Sequence, residues 1–216
     1  MARDAAKKAA RMRTQAHSTT SFYSMHGVTR TEITKAPILE ALVYPHIDEN
    51  GMGNVMVARQ ISDSRVAVAA FLIDKYCLGV KDAFLRVVSI TSYKEMAEKP
   101  GQFKPVTPAW AVKLVRDAED YARSIGFEPH PDARDAAIVL EGVDINECQE
   151  SFTFGKDGKP FYFPGPCESP QKTRSMINKL TQKLGSDGFN FAIIDNGTDQ
   201  FFDNDDLDDD DGDIPF

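Results

Sequence analysis

An α+β domain with a mainly antiparallel sheet is the fold class this sequence predicts, and three observations predict it. Between residues 37 and 90, apolar runs rich in β-branched residues are separated by short polar turns, as neighbouring strands would be. Two later segments, at Thr107 and Ser169, place a capping hydroxyl before a proline and follow it with an apolar face of helical period. Between them, two aromatic stretches flank a "KDGK" turn.

Each element can be justified in order. The arm to about Thr20 is rich in Ala, Lys and Arg and has no apolar stripe to dock it, so folded structure is expected from near Ala36. "PILEALVY" (37–44) reads as a buried strand, followed by the polar turn "PHIDENGMG". "NVMVARQ" (54–60) and "RVAVAAFLIDKYCLGV" (65–80) read as strands separated by "SDS". "DAFLRVVSI" (82–90) fits a fourth strand or a short helix. The first clear helix has Thr107 as N-cap and Pro108 at its first position, and it buries Trp110, Val112, Leu114, Val115, Ala118, Tyr121 and Ala122 before Gly126. "SFTFGKDGKPFYF" (151–163) reads as a hairpin of two aromatic strands. The second helix has Ser169 as cap, Pro170 as opener, Met176, Ile177, Leu180 and Leu184 facing inward, and Gly185 as its stop. A last strand, "FNFAIID" (189–195), leads into the tail. There is no internal repeat. The expected organisation is a flexible basic arm (1–20), one globular domain (21–198) with principal helices at about 107–125 and 170–184, and a disordered acidic tail (199–216).

Composition narrows the class. A chain of 216 residues, 42% hydrophobic and 27% charged, is long enough to bury an ordinary core. No apolar run approaches the ~20 residues of a membrane span, and the N-terminus lacks the apolar stretch of a secretory signal, so no membrane association and a cytoplasmic location are expected. Cys77, Cys148 and Cys167 are odd in number and without CxxC spacing, which points to reduced thiols rather than disulfides or zinc. The formal charge of −8 is unevenly placed. Residues 199–216 hold nine aspartates and no basic side chain, which leaves residues 1–198 at +1. Residues 1–16 carry five basic side chains against Asp4. Like-charge blocks of this kind act as interaction tails.

Catalytic readings are thin. Cys77 with His26, His46 or His130 could form a thiol–imidazole pair, but no spacing joins them, and core packing explains a cysteine ending an apolar strand. His46 with Asp48 and Glu49, or Asp74 with Asp82, could hold a nuclease metal, although turn chemistry explains the first group equally well. "GMG" (51–53) lacks the length of a phosphate loop. No cofactor, no metal and no catalytic residue are expected.

Single-stranded nucleic acid is the better-supported ligand. Basic side chains track phosphates, and aromatic faces stack bases. Around the "KDGK" turn, strand alternation sets Phe152 with Phe154, and Phe161 with Phe163, on one face as core, and leaves Tyr162 with Lys156 and Lys159 as the expected contacts. Lys7, Lys8, Arg11 and Arg13 in the arm would add salt-sensitive phosphate binding.

The end of the chain is the most specific feature. A solvated tail explains the aspartates but not the apolar Ile214-Pro215-Phe216 that follows them. Phe216 in a pocket, stiffened by Pro215 and carrying a free carboxylate, would suit a basic-rimmed partner site, with the aspartates steering the approach. "DDDDGDIPF" (208–216) resembles the C-terminal tip of bacterial single-stranded DNA-binding proteins, the SSB family, with Gly212 interrupting the run. The resemblance implies that Asp208, Asp209, Asp210, Asp211 and Asp213 steer, and that Ile214, Pro215 and Phe216 anchor, on replication, recombination and repair enzymes. The body does not read as that family's oligonucleotide-binding barrel. In outline the chain is similar to phage single-stranded DNA-binding proteins that join another core to an acidic, Phe-ended tail. "FLIDKYCLGVKDAF" (71–84) faintly echoes uncharacterised bacterial proteins, which implies no activity.

The expected function is therefore a non-enzymatic single-stranded nucleic-acid-binding protein of bacterial or phage DNA metabolism whose tip recruits partners. The alternatives are an adaptor or decoy that occupies SSB-tail pockets without binding DNA, and a hydrolase or nuclease carried to DNA by the tip. Assembly into a homo-oligomer is left open.

Overall fold

A computed structural model describes residues 27–99, 101–165, 168–195 and 198–202, with the backbone alone for 193–195 and 198–202. The first element is the short helix α1 (Arg30–Lys35). Thr29 Oγ1 accepts from the Glu32 N–H at 3.2 Å, and the Glu32 carboxylate accepts from the Thr29 N–H at 2.7 Å, a reciprocal cap. Folded structure thus starts before Ala36, because Val28 and Ile33 have apolar side chains that the core takes in.

Five strands form an antiparallel sheet in the order β4-β3-β2-β1-β5. They are β1 (Ile38–Val43), β2 (Met52–Ser62), β3 (Arg65–Asp74), β4 (Gly79–Ser89) and β5 (Lys104–Val106). Residues 82–89 are therefore strand, in unbroken register with β3 from Leu72↔Asp82 to Arg65↔Ser89, and Ile90 begins the next helix. The apolar run 65–80 is not one strand. Asp74 Oδ1 accepts the N–H groups of Tyr76 and Cys77, both at 3.0 Å, and this side-chain turn reverses the chain into β4.

Both faces of the interior strand β3 are buried, which is why its sequence runs apolar instead of alternating. Ala67, Ala69, Phe71 and Ile73 meet helix α3 (Pro108–Ser124) on the inner face, together with Val57, Leu114 and Val115. On the outer face, Val66, Val68 and Ala70 pack with Met56 and with Tyr93 of helix α2 (Ile90–Ala97). The Tyr93 hydroxyl donates to Glu40 at 2.8 Å and so remains satisfied inside the apolar layer. Helix α3 begins as its sequence predicts: Thr107 Oγ1 accepts the Trp110 N–H at 3.2 Å, and Pro108 opens the helix.

A smaller unit closes the far end of α3. Helix α4 (Pro170–Leu184), capped by Ser169, buries Leu180 against Phe127, Tyr162, Phe189 and Phe191. Strands β6 (Phe161–Tyr162) and β7 (Asn190–Asp195) run parallel, and β8 (Thr198–Phe202) pairs antiparallel with β7. Strand β8 thus takes in residues 199–202, which by charge alone belong to the acidic tail.

The expected aromatic hairpin is corrected. Only a Lys156↔Lys159 bridge forms, around Asp157 and Gly158 at φ 54° and 84°. The flanks separate because their rings find other partners. Phe152 meets Trp110 edge-on at 5.0 Å and Phe154 stacks on Tyr121 at 5.1 Å, while Phe161 and Tyr162 pair with β7.

Candidate nucleic-acid interface

Tyr162 is the clearest correction among the expected contacts. It is fully buried with Cys77, Leu180, Phe189 and Phe191 and offers no face to a base. Glu168 and Thr173 are the polar side chains beside its hydroxyl, neither in good hydrogen-bonding geometry, and burial pushes its ionisation far up. The alternation read from sequence is right, but the buried face is reversed: Tyr162 is fully buried, whereas Phe163 is exposed and Phe161 is half-buried, edge-on to Tyr76. Lys156 and Lys159 do lie on the surface-side turn, with Lys156 Nζ 4.6 Å from the Phe161 ring centroid. Lys7, Lys8, Arg11, Arg13, Asp208, Asp209, Asp210, Asp211, Asp213, Ile214, Pro215 and Phe216 lie outside the described residues, as does His26.

Phe163 is 41% exposed, and the Lys81 ammonium donates to its carbonyl at 3.4 Å. Glu168 ties this point to α4, accepting the Gly165 N–H at 2.7 Å and pairing with Lys172 at 3.2 Å. Burial opposes ionisation of Glu168, but the Gly165 N–H and Lys172 outweigh it and hold the carboxyl below its ordinary range. From Lys172 the exposed face of α4 continues through Arg174, Ser175, Asn178, Lys179 and Gln182. Pro170–Leu184 contains no Asp or Glu. Exposed helices usually interleave both signs in i,i+4 pairs. Beyond Lys172, which Glu168 engages, this one presents ammonium, guanidinium, amide and hydroxyl donors with no carboxylate of its own. A phosphate chain could be bound along it, with Phe163 as a stacking surface at its N-terminal end.

Part of this surface was open to sequence reading: the acid-free stretch 170–184 is visible by inspection. The approach of Lys81 to Phe163 joins residues 82 positions apart, which no local pattern reveals.

The catalytic candidates are dispersed. Cys77 is fully buried, and burial, followed by the Asp74 carboxylate, pushes its thiol far up, opposite to an activated nucleophile. His46 Nδ1 lies 2.8 Å from Glu49, whereas Asp48 pairs with the buried Lys75. His130 is 3.7 Å from Asp82, which is not joined to Asp74. Among the described residues, no group of three or more His, Cys, Asp or Glu is placed to hold a metal ion.

Asp74 acts in the turn, and it carries a pH signature. Its Oδ2 is buried without a hydrogen bond, and desolvation raises its pKa despite the N–H groups on Oδ1. With the folded pKa above the unfolded one, this group's contribution is greatest below the unfolded pKa and declines as pH rises through the folded value. Asp74→Asn is expected to remove that part of the slope while Oδ1 keeps its turn bonds. Urea unfolding of both proteins between mildly acidic and neutral pH measures it, and parallel profiles would refute it.

No protein family, curated protein or solved structure matches this chain. Among the described residues, no helix is long and apolar enough to cross a membrane.

Proposed function

We propose that this protein binds single-stranded nucleic acid in the cytoplasm, in bacterial or phage DNA replication, recombination or repair, and that its acidic tip recruits partner enzymes. The observation that carries the reading is the sequence Asp208–Phe216, an aspartate run closed by Ile-Pro-Phe. Support for the nucleic-acid half comes from the surface of Phe163, Lys81, Lys172 and the acid-free face of α4. Phosphates would lie along Arg174 and Lys179, and a base would stack on Phe163. The tail, with nine aspartates in residues 199–216 against a +1 remainder, competes with phosphates for the same cations.

Fluorescence anisotropy of a labelled single-stranded oligonucleotide at two salt concentrations tests this. Arg174→Glu with Lys179→Glu is expected to weaken binding at least ~10-fold at low salt and to flatten the salt dependence. Removing residues 203–216, which keeps β8, is expected to tighten low-salt binding. Equal affinities for these proteins would overturn the reading. If no form binds an oligonucleotide while Phe216→Ala abolishes capture of repair enzymes, the protein is an adaptor or decoy.

A further inference from the structure

Among the described residues, β4 is an edge strand, paired on one side only, with β3. The polarity of its backbone follows from two bonds. The Ile90 N–H donates to Ser64 on the β3 side at 2.9 Å, whereas the Ala83 N–H is taken by the carboxylate of Asp82 at 2.8 Å. Even-numbered residues from Asp82 onward therefore direct their peptide groups at β3, and Ala83, Leu85 and Val87 direct theirs at the free edge. The His130 N–H closes the edge at Val80, with a bond of 3.0 Å. Beyond that point a groove of about 500 Å³ runs along Phe84–Val88, with Asp132 and Asp135 on its other wall.

On the outer face of β4 the sequence reads Asp82, Phe84, Arg86 at alternate positions, all exposed. Phe84 is 37% exposed, and the Arg86 guanidinium lies 5.4 Å from its ring centroid. An antiparallel pair of identical strands about a two-fold axis at Phe84 would set Asp82 opposite the partner's Arg86, and Arg86 opposite the partner's Asp82. These would be close, non-hydrogen-bonded pairs, the arrangement in which cross-strand side chains interact most strongly. In turning to the partner's Arg86, Asp82 would release the Ala83 N–H, and Ala83 and the partner's Leu85 would then exchange backbone hydrogen bonds.

We propose that a second copy of this chain pairs on β4 in that register, joining two five-stranded sheets into one antiparallel sheet of ten. The charges select it. An axis at Leu85 would place Asp82 against the partner's Val88 and Arg86 against the partner's Phe84, leaving both charges unpaired. Parallel in-register pairing would set like charges against each other. Charged edge residues ordinarily keep strands apart. Here the same two residues disfavour those pairings and favour the one that the two-fold makes complementary. The contact is short, so the dimer is weak and dependent on concentration.

Sedimentation velocity of the full chain from about 1 to about 100 µM tests the proposal. The wild-type protein is expected to dimerise within that range. Asp82→Arg and Arg86→Asp are each expected to raise the dimer Kd at least ~10-fold, and the double reversal to restore it. Mixing the two single variants provides an independent check. One copy then has basic side chains at both positions and the other has acidic side chains at both, so a heterodimer should form. Circular dichroism confirms that each variant is folded. A wild-type monomer throughout, a dimer indifferent to the single reversals, or no heterodimer on mixing overturns it.

Discussion

Arg59→Met is expected to destabilise the protein by about 3–5 kcal/mol, the largest single side-chain effect predicted for this chain. Arg59 lies on β2, only 5% exposed, where its neighbours in the register are Ile38 and Ala67. Its guanidinium donates to the carbonyls of Val139 at 2.8 Å, Ala36 at 2.6 Å and Thr34 at 3.1 Å, and also to that of Glu141. One planar fork thus holds two segments that have no strand to pair with: the end of α1, and the 3-10 turn Ala137–Leu140 with the residue after it. Desolvation lowers the Arg59 pKa, with the Glu141 carboxylate opposing, but a guanidinium remains charged at any ordinary pH. Methionine would fill much of the volume and leave these four acceptors without their donor. Lysine would retain the charge, yet a single ammonium cannot span acceptors laid out for a fork, so Arg59→Lys should recover little. Urea denaturation measures both, and a loss below about 1 kcal/mol for Arg59→Met would refute the assignment.

Gly79→Ala is expected to cost about 2–5 kcal/mol through sterics rather than hydrogen bonding. Gly79 opens β4 at φ +62°, and an added Cβ would lie 2.3 Å from the Ala118 carbonyl oxygen and 2.8 Å from the Ala122 methyl. The obstructing atom is helix backbone, so no side-chain rotation relieves the contact, and α3 would have to move from the sheet. Gly142→Ala provides the control. Gly142 has φ +79° with nothing within 4 Å of the added carbon, so only backbone strain of about 1–2 kcal/mol applies. Comparable losses for the two variants would show that close approach of α3 is not what Gly79 supplies.

How much of the fold is legible locally depends on the range of the interaction that decides each element. Thr107-Pro108 and Ser169-Pro170 announce helix starts because a cap acts within three residues, and both are found as read. Strand β8 has a local signal too: Asn196-Gly197 is a dipeptide favoured in two-residue hairpin connections, hidden by the acidic sequence after it. The break at Asp74 is less visible, because an aspartate in an apolar run marks a turn only if its carboxylate reaches the backbone two and three residues on.

The aromatic segment marks the limit. Period-two alternation correctly groups Phe161 with Phe163 against Tyr162, but alternation carries no sign and cannot say which face meets the core. That was decided by Leu180, Phe189 and Phe191, brought together from α4 and β7 around Tyr162. The candidate interface divides in the same way. The acid-free helix and the charge partition of the chain are properties of the sequence by itself, as are the helix caps and the tip Asp213-Ile214-Pro215-Phe216. Only the tertiary structure placed Lys81 at Phe163, buried Cys77, set Arg59 across two segments and, among the described residues, left β4 paired on one side alone. The physical reason is common to all four. Periodicity and capping are governed by backbone geometry over a few residues, whereas burial and edge exposure depend on which distant segments have already taken the neighbouring space.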